Sequence, residues 1–95
     1  MKVKAQYVSL VKSITNTNEE EFNLKDGTLL SDLLNKVASK YGRPFINEVY
    51  EPGQRELKTN FVVMINGVLM GQLQGVDTPL KDGDKVTFMS LMTGG

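Results

Sequence analysis

The chain has 95 residues, contains no cysteine and no histidine, and balances eleven basic side chains with eleven acidic ones. A chain of this length folds into one domain with a modest core, and the missing residue types exclude a cysteine nucleophile, a disulfide framework and a zinc or haem site built on thiolate or imidazole ligands. The even charge balance, with no basic stripe, argues against direct binding of nucleic acid or of an anionic membrane.

The first part of the chain predicts a β-hairpin. Apolar and polar residues alternate along residues 2–11, which is the period of a strand. A polar, turn-rich segment at Ser13–Asn18 separates this strand from a second alternation at Glu21–Leu24. We therefore expect two antiparallel strands joined by a turn.

A helix is predicted at about residues 28–41. Thr28 is the N-cap candidate, while Gly42 suits the left-handed cap position at the other end and Pro44 cannot continue the helix. The apolar residues between these signals fall at helical spacing: Leu29, Leu30, Leu33, Leu34, Val37, Ala38 and Tyr41. This wide stripe predicts a helix that packs one side on the core.

The second half of the chain predicts a short helical turn at Phe45–Tyr50, a loop, and then three strands. The apolar run Phe61–Ile65 predicts the first of them, and Asn66-Gly67 is a strong two-residue hairpin signal that leads into the second at Val68–Met70. After a turn that ends at Asp84, the last strand is predicted at Lys85–Leu91.

This order of elements predicts an α+β domain with one main helix. A single amphipathic helix covers one face of a sheet, so the other face stays open. We expect the open face to carry Met89, Leu91 and alternate residues of Phe61–Ile65. An apolar patch on an open sheet face is usually a partner site.

Two observations bear on localisation. The N-terminus at Met1–Lys4 alternates and lacks the apolar segment of a signal peptide. The run Phe61–Ile65 is the longest apolar stretch, and it is far too short to span a bilayer. We therefore expect a cytoplasmic protein with no membrane association, no metal and no cofactor.

The last three residues, Thr93-Gly94-Gly95, carry the most specific signal. Two glycines have no side chains, so they can lie extended in a channel too narrow for a Cβ atom and can deliver a terminal carboxylate into another protein's active site. The alternative is that the glycines are incidental, as at a frayed or truncated end. The tail taken alone does not decide between these interpretations.

The residues before the tail resemble a known family. The run from Pro79 to Phe88 contains Leu-x-Asp-Gly-Asp-x-Val-x-Phe, which together with the terminal Gly-Gly closely resembles the end of the MoaD family, the small subunits of molybdopterin synthase. Asn66 fits the hairpin of that family. MoaD proteins usually carry a Pro-Pro pair where this chain has Met89–Met92, and here the chain is equally similar to the ubiquitin-related modifiers that link sulfur carriers with ubiquitin.

The resemblance implies a ubiquitin-like β-grasp fold with a mixed, mostly antiparallel sheet. It implies that an ATP-dependent activating enzyme adenylates the Gly95 carboxylate, which is then converted to a thiocarboxylate or joined to a lysine of a target protein. The chain is then a carrier and co-substrate, with no catalytic residue of its own. Gly94 and Gly95 form the acyl-carrying end.

The resemblance and the predicted elements together suggest a division of the chain into a β-grasp domain at 1–91 and a flexible tail at 92–95. We expect the tail to be mobile in the free protein, because two glycines cannot offset the cost of ordering the backbone, about 1–2 kcal/mol per residue. Docking of a partner is assigned to the residues next to the acyl end: Met89, Leu91, Met92 and Thr93.

Three functions remain open at this point. The first is a sulfur carrier and protein modifier, with a tRNA-thiolation enzyme or lysine-bearing proteins downstream. The second is a dedicated small subunit that binds the large subunit of molybdopterin synthase, and a thiamin-pathway sulfur carrier is a related alternative. The third is a non-catalytic β-grasp binding module. The sequence names neither the final sulfur acceptor nor the oligomeric state.

Overall fold

The computed structural model describes residues 1–91. Within them lie five strands, three helices and two 3₁₀ turns. The strands are β1 (Lys2–Tyr7), β2 (Glu19–Asn23), β3 (Phe61–Ile65), β4 (Val68–Leu69) and β5 (Lys85–Ser90). The helices are α1 (Leu10–Thr15), α2 (Leu30–Tyr41) and α3 (Arg43–Glu48), and the 3₁₀ turns are Met70–Gln72 and Gly75–Asp77.

The strands form one mixed sheet in the order β2-β1-β5-β3-β4. The central pair β1–β5 is parallel, and the other three pairs are antiparallel. With α2 as the longest helix, this arrangement confirms the predicted β-grasp. Because β1 and β5 run in the same direction, their C-terminal ends lie at the same end of the sheet.

The core lies between α2 and one face of the sheet. Leu33 and Leu34 are fully buried, as the apolar stripe predicts. They belong to one cluster with inward-facing residues of the strands, among them Val3, Val63 and Phe88. One side of the sheet is therefore covered, and the opposite side is open.

The start of α2 differs from the prediction. The helix begins at Leu30, and Leu29 rather than Thr28 occupies the N-cap position. The Thr28 hydroxyl instead donates a hydrogen bond to the Lys25 carbonyl at 2.6 Å, which closes the preceding turn. The Asp32 carboxylate accepts the Leu29 backbone N–H at 2.9 Å, so an acidic side chain stabilises the first turn. Gly42 ends the helix with a positive φ of 73°, as predicted.

The predicted strand at 2–11 is wrong beyond Tyr7. Residues Leu10–Thr15 form α1 instead, with Val11 and Thr15 buried four residues apart on one side of the helix. Ser9 has a φ of 58° and breaks the extended backbone between the strand and the helix. β1 and β2 still pair as antiparallel neighbours, so the hairpin is confirmed although its connection is a helix.

The second half of the chain agrees more closely with the sequence. The short helix α3 overlaps the predicted Phe45–Tyr50 turn but begins and ends two residues earlier, at Arg43 and Glu48. Asn66 and Gly67 have φ of 52° and 83°, which confirms the two-residue turn between β3 and β4. β4 is shorter than predicted because Met70 begins a 3₁₀ turn. The predicted mobility of residues 92–95 lies outside the described residues.

A cluster around Glu20 ties β2 to the rest of the domain. The Glu20 carboxylate accepts hydrogen bonds from the Tyr7 hydroxyl at 2.7 Å, from the Tyr41 hydroxyl and from the Lys40 ammonium. Burial raises the pKa of Glu20, but these three donors outweigh it and hold the pKa below the ordinary value of 4.5. Burial and the bond to Glu20 raise the pKa of Tyr41 to about 12, so Tyr41 remains a donor across the physiological range.

We expect the cluster to make stability depend on pH. Because the pKa of Glu20 is lower in the folded than in the unfolded chain, its stabilisation is complete above the unfolded value and is lost as the pH falls through the folded value. Glu20→Gln should lower the free energy of unfolding at pH 7 by about 1–3 kcal/mol and flatten its decline below pH ~5. Denaturant titrations between neutral and acidic pH measure both effects. The neighbouring exposed Glu21→Gln is the control, and an equal loss in the two variants would contradict the prediction.

Candidate functional site

The chain leaves the sheet at the end of β5. Ser90 is buried opposite Phe61, the first residue of β3. The next residue, Leu91, donates its backbone N–H to the Asn60 carbonyl at 2.6 Å, while its side chain is 62% exposed. The Gly-Gly tail therefore starts from a fixed point at one end of the sheet.

The end of β1 lies beside this exit. The Val8 N–H donates to the Phe88 carbonyl at 2.9 Å, which extends the parallel β1–β5 ladder toward the exit. Helix α1 starts two residues later and contacts β5. Its first residue, Leu10, is 44% exposed. The helix that the sequence did not predict thus lies against β5.

An apolar strip covers the part of the open face formed by β3, β4 and β5. Val62 lies directly opposite Met89, and Met64 lies opposite Leu69 on one side and Thr87 on the other. Directly opposed residues share a face, and the residues that alternate with these in β3 and β5 include Val63, Ile65 and Phe88, which are buried in the core on the other face. Val62, Met64 and Met89 are half-buried and Leu69 is 43% exposed. This confirms the expected apolar patch, which we call the β3–β5 strip.

The part of the open face formed by β1 and β2 is polar. Lys4 and Glu19 form an ion pair with 3.8 Å between Nζ and Oε1, and Glu21 lies opposite Lys4 on the same face. At the boundary between this polar area and the β3–β5 strip, the Thr87 hydroxyl donates a hydrogen bond to Gln6 Oε1 at 3.3 Å. The open face thus carries an apolar strip that ends near Leu91 and a charged area beside it.

The structure places two of the four predicted docking residues. Met89 lies in the middle of the β3–β5 strip, and Leu91 lies exposed at the exit. Met92 and Thr93, like Gly94 and Gly95, the predicted acyl-carrying residues, lie outside the described residues. Leu69 also belongs to the β3–β5 strip, although it is not among the predicted docking residues. Its place two residues after Gly67 could have shown that it lies opposite Met64.

The Asp82-Gly83-Asp84 turn has a structural role. Gly83 has a φ of 86°, a conformation that other residues rarely adopt. Asp82 accepts the Lys2 N–H at 2.7 Å, which fixes the turn to β1. Asp84 accepts the Lys81 N–H and the Asn66 side-chain amide, each at 2.8 Å. The motif therefore joins its own turn to the start of β1 and to the Asn66-Gly67 turn, at the end of the sheet where β5 begins.

Other kinds of site find no support in residues 1–91. No group of three or more aspartate, glutamate, histidine or cysteine side chains is placed there to hold a metal ion. No helix in this part of the chain is both long and apolar enough to cross a bilayer.

Comparison with known proteins connects this geometry to a family. The model of the ThiS family matches residues 5–95. No curated protein matches the chain.

Solved structures show the same fold over nearly the whole chain. Small archaeal modifier protein 1 (SAMP1) from Methanosarcina acetivorans is 25% identical, with 99% of this chain and 96% of that chain covered and a TM-score of 0.77. A putative molybdopterin converting factor, subunit 1, from Pyrococcus furiosus is 26% identical over 96% of this chain and 98% of that one, with a TM-score of 0.76. Urm1 from Trypanosoma brucei is 20% identical, with 99% of this chain and 95% of that chain covered. Its TM-score of 0.80 shows a shared fold.

Proposed function

Because the chain belongs to the ThiS family, we propose that it is a ubiquitin-like sulfur carrier and protein modifier whose reactive group is the Gly95 carboxylate. The observation that carries this proposal is the extent of the family match, which includes the fold, the β3–β5 strip and the Thr93-Gly94-Gly95 end together. The fold alone would not give a function, since one fold hosts many.

The chemistry follows from the poor reactivity of a carboxylate. In the proposed first step, a Gly95 carboxylate oxygen attacks the α-phosphorus of ATP, pyrophosphate leaves, and an acyl-adenylate forms. AMP is a good leaving group, so the terminal sulfur of a persulfide on a partner can then displace it and form an acyl disulfide. Attack by a second thiol on the partner's sulfur breaks the S–S bond, which releases the C-terminal thiocarboxylate and leaves a disulfide between the two thiols. Attack by a lysine amine gives an isopeptide bond instead. The partner supplies the catalytic groups, and this chain supplies the acyl group and the docking surface.

A dedicated small subunit of molybdopterin synthase is the second candidate. The similarity to the Pyrococcus furiosus subunit favours it. In that case the thiocarboxylate donates its sulfur to a molybdopterin precursor while the chain is bound to a large subunit. For a sulfur carrier and protein modifier, the sulfur acceptor is instead a tRNA, through a thiolation enzyme. In conjugation, a lysine of a target protein accepts the acyl group.

Intact mass spectrometry tests the proposal. The chain is incubated with an activating enzyme, ATP and a sulfur donor, and its mass should rise by the difference between a sulfur and an oxygen atom. A known family member, which gains sulfur under the same conditions, is the positive control. If its mass rises and the mass of this chain does not, the carrier function is wrong and the chain is a plain binding module. Purification of the tagged chain from cells under denaturing conditions then separates the two candidates: lysine-linked adducts favour the modifier, and their absence with one large-subunit partner under native conditions favours molybdopterin synthase.

We expect the β3–β5 strip to bind the activating enzyme. Met89→Asp places a charge at the middle of the strip and should raise the KM of the activating enzyme for this protein about 10-fold or more, the range of an interface hot spot. Asn35→Asp makes the same change of charge on the exposed side of α2, across the sheet, and should leave KM unchanged. Pyrophosphate exchange at varied carrier concentration measures KM, and equal values for the two variants would contradict this docking surface.

A further inference from the structure

We propose that Asn60 is a positioning residue that fixes where the C-terminal tail leaves the sheet. Its backbone carbonyl accepts the Leu91 N–H at 2.6 Å, one step beyond the last ladder pair, Phe61 and Ser90. We call this hydrogen bond the Asn60–Leu91 clasp. The inference rests on the function proposed above, because it concerns delivery of the Gly95 carboxylate to the activating enzyme.

The clasp holds residue 91 through its backbone. The Leu91 side chain is 62% exposed, so burial contributes little to keeping this residue at the sheet. The preceding Ser90 is buried, and the one after Leu91 is the first residue of the predicted tail. The clasp therefore marks the boundary between the folded domain and the four residues that carry the carboxylate.

The conformation of Asn60 explains why the ladder stops there. Its φ is 75°, in the left-handed region, which asparagine and glycine adopt far more readily than other residues. A strand cannot continue through this conformation, so the backbone before Asn60 turns away from β5. The carbonyl of Asn60 is thereby left at the end of β3, aimed at Leu91.

The loop that precedes Asn60 is hydrogen-bonded to buried residues of the domain. The Lys58 N–H donates to the carbonyl of the buried Val49 at 2.8 Å, and the Phe61 N–H donates to the Lys58 carbonyl at 3.2 Å. Earlier in the loop, the hydroxyl of the buried Tyr50 donates to the Gln54 carbonyl at 2.7 Å. Asn60 is thus fixed to the core side of the domain as well as to β3.

The clasp sets the reach of the tail. Four residues follow Leu91, and an extended chain covers about 3.3–3.6 Å per residue, so the carboxylate lies within roughly 14 Å of the clasp. Hydrogen-bonded pairs alternate along an antiparallel ladder, and the pair before the clasp is Val62–Met89. Without the clasp, Leu91 would join the free segment and the carboxylate would sample a larger volume, so its effective concentration at the active site would fall.

Two matched pairs of variants test the clasp. Leu91→Pro and Leu91→Ala both remove the leucine side chain, but only proline removes the N–H. Asn60→Val and Asn60→Gly both remove the amide side chain, but only valine disfavours a positive φ. We expect Leu91→Pro and Asn60→Val to raise the KM for adenylation about 2–10-fold over their matched partners, with kcat unchanged. Loss of folded protein would also raise the apparent KM, because it lowers the concentration of competent carrier. The folded fraction of each variant is therefore measured by thermal melting, and KM is expressed per folded carrier.

Amide hydrogen exchange supplies a readout that is independent of the activating enzyme. The Leu91 amide should be protected in the wild-type chain and in Asn60→Gly, and should exchange rapidly in Asn60→Val. If Leu91→Pro fails to fold, the Asn60 pair decides alone. Equal KM values within the matched pairs would overturn the clasp while leaving Gly95-dependent adenylation intact. A wild-type chain that is not adenylated at all would overturn the proposed function, and the role of Asn60 in delivery with it.

Discussion

Deletion of Gly95 is expected to abolish adenylation by the activating enzyme. The deletion leaves a terminal carboxylate of ordinary acidity but moves it back by about 3.3–3.6 Å along an extended chain. A misplacement of only ~1 Å can cost a hundredfold in rate, so exchange activity should fall by at least that factor. ATP–pyrophosphate exchange with the cognate activating enzyme measures the loss.

A substitution that keeps the length of the tail separates reach from shape. Gly94→Val retains the position of the carboxylate but adds a branched side chain, which should clash in a narrow channel and also block adenylation. Neither change touches the core of residues 1–91, so thermal melting should match the wild-type chain. Full exchange activity without Gly95 would refute the carrier function for this tail.

The elements that the sequence predicts well are those whose signals are local. The apolar stripe of α2 and its terminal Gly42 depend on spacing within one helix, and both are confirmed. Asn66-Gly67 predicts its turn because few other residues adopt two successive positive φ values. The order of elements predicted an α+β domain with one main helix, which agrees with the β-grasp that the resemblance implied.

The elements that were missed depend on tertiary contacts. Residues 8–15 carry apolar side chains compatible with either a strand or a helix, and burial of Val11 and Thr15 on one side selects the helix. Likewise, nothing local shows that Asn60 and Leu91, 31 positions apart in the chain, share a hydrogen bond. That contact arises only when β3 and β5 pair in the observed register.

In the candidate site, too, features with a local sequence signal were predicted and features that depend on tertiary contacts were not. The Gly94-Gly95 end and Met89 were predicted from the sequence because one is a motif and the other follows from strand alternation. Leu69 joins the β3–β5 strip through a strand of only two residues, too short for alternation to be recognised. The sequence therefore predicts a role for the tail from a motif, whereas the full extent of the β3–β5 strip is seen only in the observed strand pairing.

Leu33→Ala is expected to produce the largest loss of stability. Leu33 is fully buried in the cluster between α2 and the sheet, so its truncation removes apolar contacts and leaves a cavity, at a cost of about 2–5 kcal/mol in the free energy of unfolding. The total free energy of unfolding of a small domain is roughly 5–15 kcal/mol, so the denaturant midpoint should fall markedly. Asn35→Ala, on the exposed side of the same helix, is the control and should change stability by less than about 0.7 kcal/mol.

Because α2 packs on the face opposite the β3–β5 strip, the folded fraction of Leu33→Ala should still be adenylated with a wild-type KM. A loss below about 1 kcal/mol would contradict the core assignment, and a raised KM would contradict the separation of the two faces.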